Sequence, residues 1–185
     1  MGERLGEGAD GEVFSLQDDP KKVIKLGILY EHHNGKLNQY YKQIRKVLDY
    51  MMQVQPAAYA QVYEHECIGS YSRPMPFWRS GEQKFIIYYY TMERLQKISE
   101  DEAKVFHSIL SHEDRGIEKN FSSEKIQEIL QGLSRGLDFD AKKVTLFCDN
   151  INRAAISHLD LHPRNILKDA DGNFKAIDMD RCEFI

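Results

Sequence analysis

His158-Leu159-Asp160-Leu161-His162-Pro163-Arg164-Asn165 is the stretch on which the reading of this chain turns. It sets a carboxylate, Asp160, five residues ahead of an amide, Asn165. A carboxylate so placed can align a hydroxyl and accept its proton, and an amide oxygen can sit on a divalent cation. Downstream, Ile177-Asp178-Met179-Asp180 supplies a second carboxylate, Asp178, for the same cation. Each residue also has a plain structural reading: Asp160 capping a turn, Asn165 satisfying loop backbone, Asp178 a surface acid. Their joint order and spacing, with the features upstream, favour shared chemistry.

Two upstream features belong with this loop. Gly6-Glu7-Gly8-Ala9-Asp10-Gly11-Glu12-Val13 follows a G-x-G-x-x-G-x-V pattern, in which glycines let the backbone approach phosphate oxygens that a Cβ would hold away. A dinucleotide-binding reading needs a helix directly after the glycines, whereas Val13-Phe14-Ser15-Leu16 reads as a strand. The short apolar strand Val23-Ile24-Lys25 then ends on a lysine, which can pair with nucleotide phosphates; its plain alternative is a lysine at a strand edge.

The surrounding pattern predicts an α+β fold. Strands are expected at Glu3–Leu5, Glu12–Leu16 and Lys22–Leu26, separated by glycine-rich and Asp18-Asp19-Pro20 turns. Leu37, Tyr41, Ile44, Leu48 and Met51 recur at helical spacing over Leu37–Met52. Strands follow at Gln61–Ile68 and Lys84–Met92 around a loop holding Pro74, Pro76 and Gly81. Ser99 with Glu102 forms a capping box opening a helix over Asp101–Leu110. Further helices run from Ser122 or Ser123 to Leu133 and from Asp140 to Arg153, the last with Val144, Phe147 and Ile151 on one face. Strands at Asn165–Lys168 and Asn173–Ile177 flank a hairpin turn, Asp169-Ala170-Asp171-Gly172. A calcium loop at Asp169, Asp171 and Asn173 is the weaker reading, because Gly172 stands in the wrong place. His32, His33 and His65 lack ligand spacing. Tyr88-Tyr89-Tyr90 reads as core strand, and Lys42, Arg45 and Lys46 as one wetted helix face.

Composition bounds the function classes. The 185 residues carry a net charge of −4 and 42% hydrophobic residues, enough for one domain or two small lobes. That acidity argues against nucleic acid or an anionic membrane as principal partner. Cys67, Cys148 and Cys182 form neither a disulfide framework nor a metal pair, which fits a reducing compartment. No stretch approaches the roughly 18 apolar residues of a membrane span, and the N-terminus is too charged for a signal peptide.

Taken together, these motifs resemble the protein-kinase-like superfamily across nearly the whole chain. Asp160-Leu161-His162-Pro163 and Tyr90-Thr91-Met92-Glu93-Arg94-Leu95 are similar to aminoglycoside phosphotransferases, and Ile177-Asp178-Met179-Asp180-Arg181-Cys182 to lipopolysaccharide-sugar kinases. The size resembles the minimal effector kinases that pathogenic bacteria inject into host cells, the OspG and NleH group. The resemblance implies a protein-kinase-like bilobal fold. Residues 1–92 would form an antiparallel β-sheet N-lobe with one helix, and residues 93–185 a reduced, mainly helical C-lobe. It implies ATP and Mg²⁺ as cofactors, with Gly6, Gly8, Gly11 and Val13 over the phosphates and Lys25 on the α/β-phosphates. Met92 would be gatekeeper, with Glu93 to Leu95 offering backbone to adenine. Asp160 would be the catalytic base, and Asn165 and Asp178 the Mg²⁺ ligands.

Three departures bear on what this implies. The helix after Lys25 has no glutamate in its middle; Gln43 stands near the expected place, and Glu31 or Asp49 would need unusual geometry. His158-Leu159-Asp160 lacks the arginine that reads a phosphorylated activation loop. Seven residues follow Asp178, so an activation segment and a helical substrate-binding tail are not expected. The resulting expectation is an ATP-dependent Ser/Thr protein kinase of effector type, with a protein substrate and an activating protein partner. It would work in the cytoplasm, or in the host cytosol if secreted. A sugar or aminoglycoside kinase is the first alternative and a pseudokinase binding module the second, against which the retained Lys25, Asp160, Asn165 and Asp178 argue.

Overall fold

Alternation of Val23, Lys25 and Gly27 inward with Ile24, Leu26 and Ile28 outward gives Lys22–Tyr30 two unlike faces, as a strand covered on one side requires. The computed structural model describes residues 2–8, 11–31, 36–74, 82–111 and 121–185, and the statements below concern these. The chain divides into two units, Met1–Gln53 with Gln61–Arg94, and Val54–Ala60 with Leu95–Ile185. The division near Arg94 falls two residues beyond the expected lobe boundary, and Val54–Ala60 goes with the second unit.

The first unit is a five-stranded antiparallel sheet with a helix. Its strands are β1 (Arg4–Gly8), β2 (Gly11–Ser15), β3 (Lys22–Tyr30), β4 (Val62–Pro74) and β5 (Glu82–Glu93), in the spatial order β1-β2-β3-β5-β4. β1 runs through the glycines that the sequence assigns to a loop: Gly6 pairs with Val13 and Gly8 with Gly11. Residues 9 and 10 lie outside the described residues, as do His32, His33, Pro76 and Gly81. Pro74 is the last residue of β4, where a missing N–H costs least. Helix α1 (Leu37–Val54) buries Leu37, Ile44, Val47, Leu48 and Met51, while Lys42, Arg45 and Lys46 are exposed. It packs on the inward face of the sheet, where its Tyr41 ring lies 5.7 Å from that of Tyr88. Tyr88 and Tyr90 are core residues, and Tyr89 turns to the other face.

Gly27 and Gly11 are demanded by this packing. A Cβ on Gly27 would enter the Tyr88 ring, and one on Gly11, at φ +152°, would run into the Leu26 carbonyl oxygen.

The second unit packs α2 (Glu100–Ser111), α3 (Ser123–Leu133) and α4 (Ala141–Arg153) with short strands. Strand β6 (Gln96–Lys97) pairs with β8 (Ile166–Lys168), which pairs with β9 (Phe174–Ala176); β7 (Ile156–His158) pairs with β10 (Cys182–Phe184). The expected capping box forms: Ser99 N–H donates to Glu102 Oε2 at 2.8 Å, and Glu102 N–H to Ser99 Oγ at 3.2 Å. Ser122 and Asp140 cap α3 and α4. Phe106, Phe147 and Phe174 meet edge to face, with centroids 4.8–6.4 Å apart, at the centre of the core. The β8–β9 hairpin closes as the turn chemistry predicts. Asp169 Oδ1 accepts the N–H groups of Asp171 (3.0 Å) and Asn173 (2.8 Å), with Gly172 at φ +76°. Burial works against ionisation of Asp169, yet the N–H and amide of Asn173, the charge of Lys175 and the N–H of Asp171 together outweigh it and hold the carboxyl below its ordinary value. That carboxylate is bonded within the turn.

Candidate functional site

The candidate residues fall into two groups, one in each unit. In the first unit, antiparallel pairing brings one residue from every strand into a single transverse row. Gly6 faces Val13, Val13 faces Lys25, Lys25 faces Tyr90, and Tyr90 faces His65. Directly opposed residues share a face, so Val13, Lys25, Tyr90 and His65 project to the side that α1 covers. Lys25 is only 5% exposed, and its ammonium lies 5.8 Å from the Tyr90 ring centroid. A lysine at a position that alternation marks as core is an unusual use of a buried site. Gly6 has nothing within 4 Å of where its Cβ would stand; the protein's own packing does not demand a glycine there.

Met92 is buried one inward row from Lys25, opposite Val23 and Val62. Beyond it, Glu93 N–H donates to the Gln61 carbonyl (2.9 Å) and Arg94 N–H to the Lys21 carbonyl (2.7 Å), while the Glu93 carboxylate accepts Gln61 N–H (2.8 Å). Of the backbone groups that Glu93 to Leu95 were expected to offer, the N–H groups of Glu93 and Arg94 are therefore engaged within the first unit.

In the second unit, Asp160, Asn165 and Asp178 are gathered by the backbone of Ile177. β7 ends at His158, which is 2% exposed. Its Nε2 lies 2.6 Å from the Ile177 carbonyl oxygen, and its Nδ1 lies 3.2 Å from the Asp160 backbone nitrogen. Because that N–H can only donate, Nδ1 accepts, and the ring proton stands on Nε2. The ring also stacks on Tyr59, at 6.4 Å and 11°. From the other side, Ile177 N–H donates to the Asn165 carbonyl at 2.9 Å. Asn165 closes the 3-10 turn Pro163–Asn165, and its Nδ2 donates to the Asp160 carbonyl at 3.1 Å. That bond fixes the amide's orientation, leaving Oδ1 as its acceptor end. One dipeptide, Ile177-Asp178, is thus tied to the loops that carry both other residues.

Asp178 itself has φ 62° and ψ 52°, the left-handed region, and its side chain does not cap the 3-10 turn Met179–Arg181 that it opens. Such a backbone costs about 1 kcal/mol in a residue with a Cβ, and strain of this kind gathers at functional sites. Asp160 is the opposite case: its side chain is 61% exposed, with His162 Nε2 at 3.9 Å from Oδ2. A carboxylate with an exposed head and a backbone pinned by His158 and Asn165 can receive a proton from an arriving hydroxyl.

No group of three or more His, Cys, Asp or Glu among the described residues is arranged to hold a metal ion. Asn165 Oδ1 and the Asp178 carboxylate are hard oxygens of the kind that Mg²⁺ takes, one or two from a protein and the rest from phosphate and water.

Sequence reasoning missed two features. It took His158 as a motif letter and not as the hub of the loop, although a histidine next to a run of core residues was the available signal. It also set Asp49 and His65 aside, and they pair at 2.8 Å; nothing in the spacing of a helix and a later strand announces such a contact. Among the described residues no helix is long and apolar enough to cross a membrane. No protein-family model matches the chain, and no curated protein matches its sequence.

Proposed function

We propose that this protein is an ATP-dependent phosphotransferase acting on a hydroxyl, with a Ser/Thr-bearing protein as acceptor. The observation that carries the reading is the Ile177 clamp, which ties Asn165 and His158 to the strained residue Asp178 and pins the backbone of exposed Asp160. The transverse row that carries buried Lys25 and open Gly6 supports it, as does the motif resemblance to minimal effector kinases of bacteria.

In this reading the chain's residues divide the work. Asp160 Oδ accepts the acceptor hydroxyl's proton as the oxygen attacks phosphorus. Lys25 pairs its ammonium with phosphate oxygens in a buried setting, where the interaction exceeds its strength in water. Gly6 leaves its surroundings open to the phosphates. Asn165 and Asp178 would hold Mg²⁺, which when bound neutralises charge on the transferred phosphoryl group. Exposed Leu159 beside exposed Asp160 suits a hydroxyl presented on another protein's surface.

The test is γ-labelled ATP with Mg²⁺, offered with a cell lysate in one arm and a sugar and aminoglycoside panel in the other. Wild type should label protein, and Asp160→Ala should lose transfer while its melting temperature still rises with Mg²⁺-ATP. Asp178→Asn and Asn165→Ala should lose the Mg²⁺-dependent part of that rise. A wild-type protein whose melting point ignores millimolar Mg²⁺-ATP would overturn the proposal; label in the small-molecule arm alone would overturn its acceptor class.

A further inference from the structure

Helix α1 carries one acidic residue, Asp49. Its Oδ1 lies 2.8 Å from His65 Nε2, and its Oδ2 lies 3.8 Å from Arg45 Nε. The His65 side chain is 10% exposed, on the face of β4 that meets α1. His65 stands directly opposite Tyr90, and Tyr90 directly opposite Lys25. Tyr90 is fully buried and its ring centroid lies 5.8 Å from the Lys25 ammonium, so the ring cannot shift without moving a neighbour.

The other buried groups of α1 differ in kind. Ile44, Val47, Leu48 and Met51 are buried apolar side chains, and burial of that kind is non-directional. Tyr41 rests on Tyr88, where burial first, and then the neighbouring Cys67, push its phenol up to about 12. Apolar contacts hold a helix down but fix its rotation and slide only loosely; a charge-assisted hydrogen bond has an angle and a length to satisfy.

Resting on the reading of Lys25 as the phosphate-binding cation, we infer that Asp49 and His65 are a positioning pair. The bond sets the register of α1 on the sheet, and through Tyr90 it sets the place of the Lys25 side chain. The pair does this from the far end of Lys25's own row, with the helix carboxylate docked on the sheet's fourth strand. Neither residue touches substrate.

The experiment uses the full chain with His65→Leu, Asp49→Leu and His65→Gln, the last of which keeps an N–H donor for Asp49. Two readouts are taken. The first is the side-chain resonance of Lys25 in lysine-labelled protein without nucleotide, and the second is kcat/KM for ATP in the transfer assay. Both leucine variants should shift the Lys25 resonance and lower kcat/KM by about ten-fold. His65→Gln should restore the wild-type resonance and most of the rate, a rescue that a general loss of stability would not give. A Lys25 resonance unmoved in both leucine variants would overturn the inference, as would His65→Gln behaving like His65→Leu. A wild type that does not bind Mg²⁺-ATP would overturn the phosphotransferase reading alone, since the nucleotide-free resonance still decides the positioning claim.

Discussion

Replacing His158 by Phe tests whether the geometry of the 158–165 loop is held by polar bonds or only by packing. Phenylalanine keeps a flat ring that can stack on Tyr59 but has no ring nitrogen. The Ile177 carbonyl loses the donor now 2.6 Å away, and the Asp160 N–H loses the acceptor now 3.2 Å away. A buried polar group left without a partner costs about 1–3 kcal/mol. The Asp160 N–H, next to an exposed side chain, can recover water and belongs at the low end of that range; the Ile177 carbonyl faces a ring that is 2% exposed and belongs higher. The sum, about 2–4 kcal/mol, is a large part of the stability usual for a domain, about 5–15 kcal/mol, yet short of unfolding it. Urea denaturation followed by circular dichroism should therefore show a folded variant with a clearly lower midpoint. Hydrogen exchange should show faster opening around residues 158–165 and 176–180. Transfer activity should fall by more than ten-fold, because Asp160 and Asp178 flank the two broken bonds. An unchanged midpoint with unchanged exchange would refute the claim that His158 is the hub.

Gly11→Ala should destabilise by about 2 kcal/mol or more in urea melts, given φ +152° and the Leu26 carbonyl in its path. Gly6→Ala should stay within about 0.5 kcal/mol of wild type and weaken Mg²⁺-ATP binding by calorimetry. Glu102 is pulled two ways: burial raises its carboxyl, but Ser99 N–H and the Lys168 ammonium at 2.9 Å outweigh it and lower it below the ordinary 4.5. A lowered carboxyl contributes stability above its unfolded value and loses it as pH falls through the folded one. Glu102→Gln should thus cost about 1–3 kcal/mol near pH 7, with a gap to wild type that closes as melts are taken below pH 4.5. Asp178→Gly should keep the left-handed backbone without its strain, and should remove the Mg²⁺-dependent nucleotide shift in melting temperature.

What was legible in the sequence is what local chemistry decides. Ser99 and Glu102 closed the box they spelled, Asp140 capped α4, and Asp169 with Gly172 turned the β8–β9 hairpin. The period of α1 identified most of its buried face, though Val47 is buried where Tyr41 is only half so. Short elements escaped: Gln96–Lys97, Ile156–His158 and Cys182–Phe184 are two or three residues long and owe their pairing to distant partners. β1 runs beyond the expected Glu3–Leu5 because pairing with β2 tolerates Gly6 and Gly8, residues that in sequence signal a strand's end. At the candidate site the residue types were legible and their supports were not. The Ile177 clamp joins residues far apart in the chain through backbone groups, which every residue possesses and no motif records.

The residues worth testing first are those at which another residue would suit the backbone or the packing at lower cost. Gly11 and Gly27 must be glycines for the sheet to close, so neither argues for a ligand. Asp140, Asp169 and Glu102 have their oxygens committed to caps, turns and a lysine, which accounts for carboxylates at those positions. Gly6 is different, because an alanine would meet nothing there, and in a strand interior glycine is the costlier choice by about 0.5–1 kcal/mol. Lys25 occupies an inward position between Val23 and Gly27 that an apolar side chain would fill without desolvating a charge. Asp178 adopts a backbone that glycine would adopt with less strain, and it does not repay the difference by capping its turn. Counted by chain entropy, desolvation or backbone strain, each of these three positions admits a less costly residue, a cost that a functional requirement can offset. In the proposed reading that requirement is one chemistry: room for phosphate at Gly6, a cation for it at Lys25, and a metal-binding carboxylate at Asp178. If the Gly6, Lys25 and Asp178 variants all gained stability and none lost nucleotide binding, these three departures from the cheapest fold would lose their common cause.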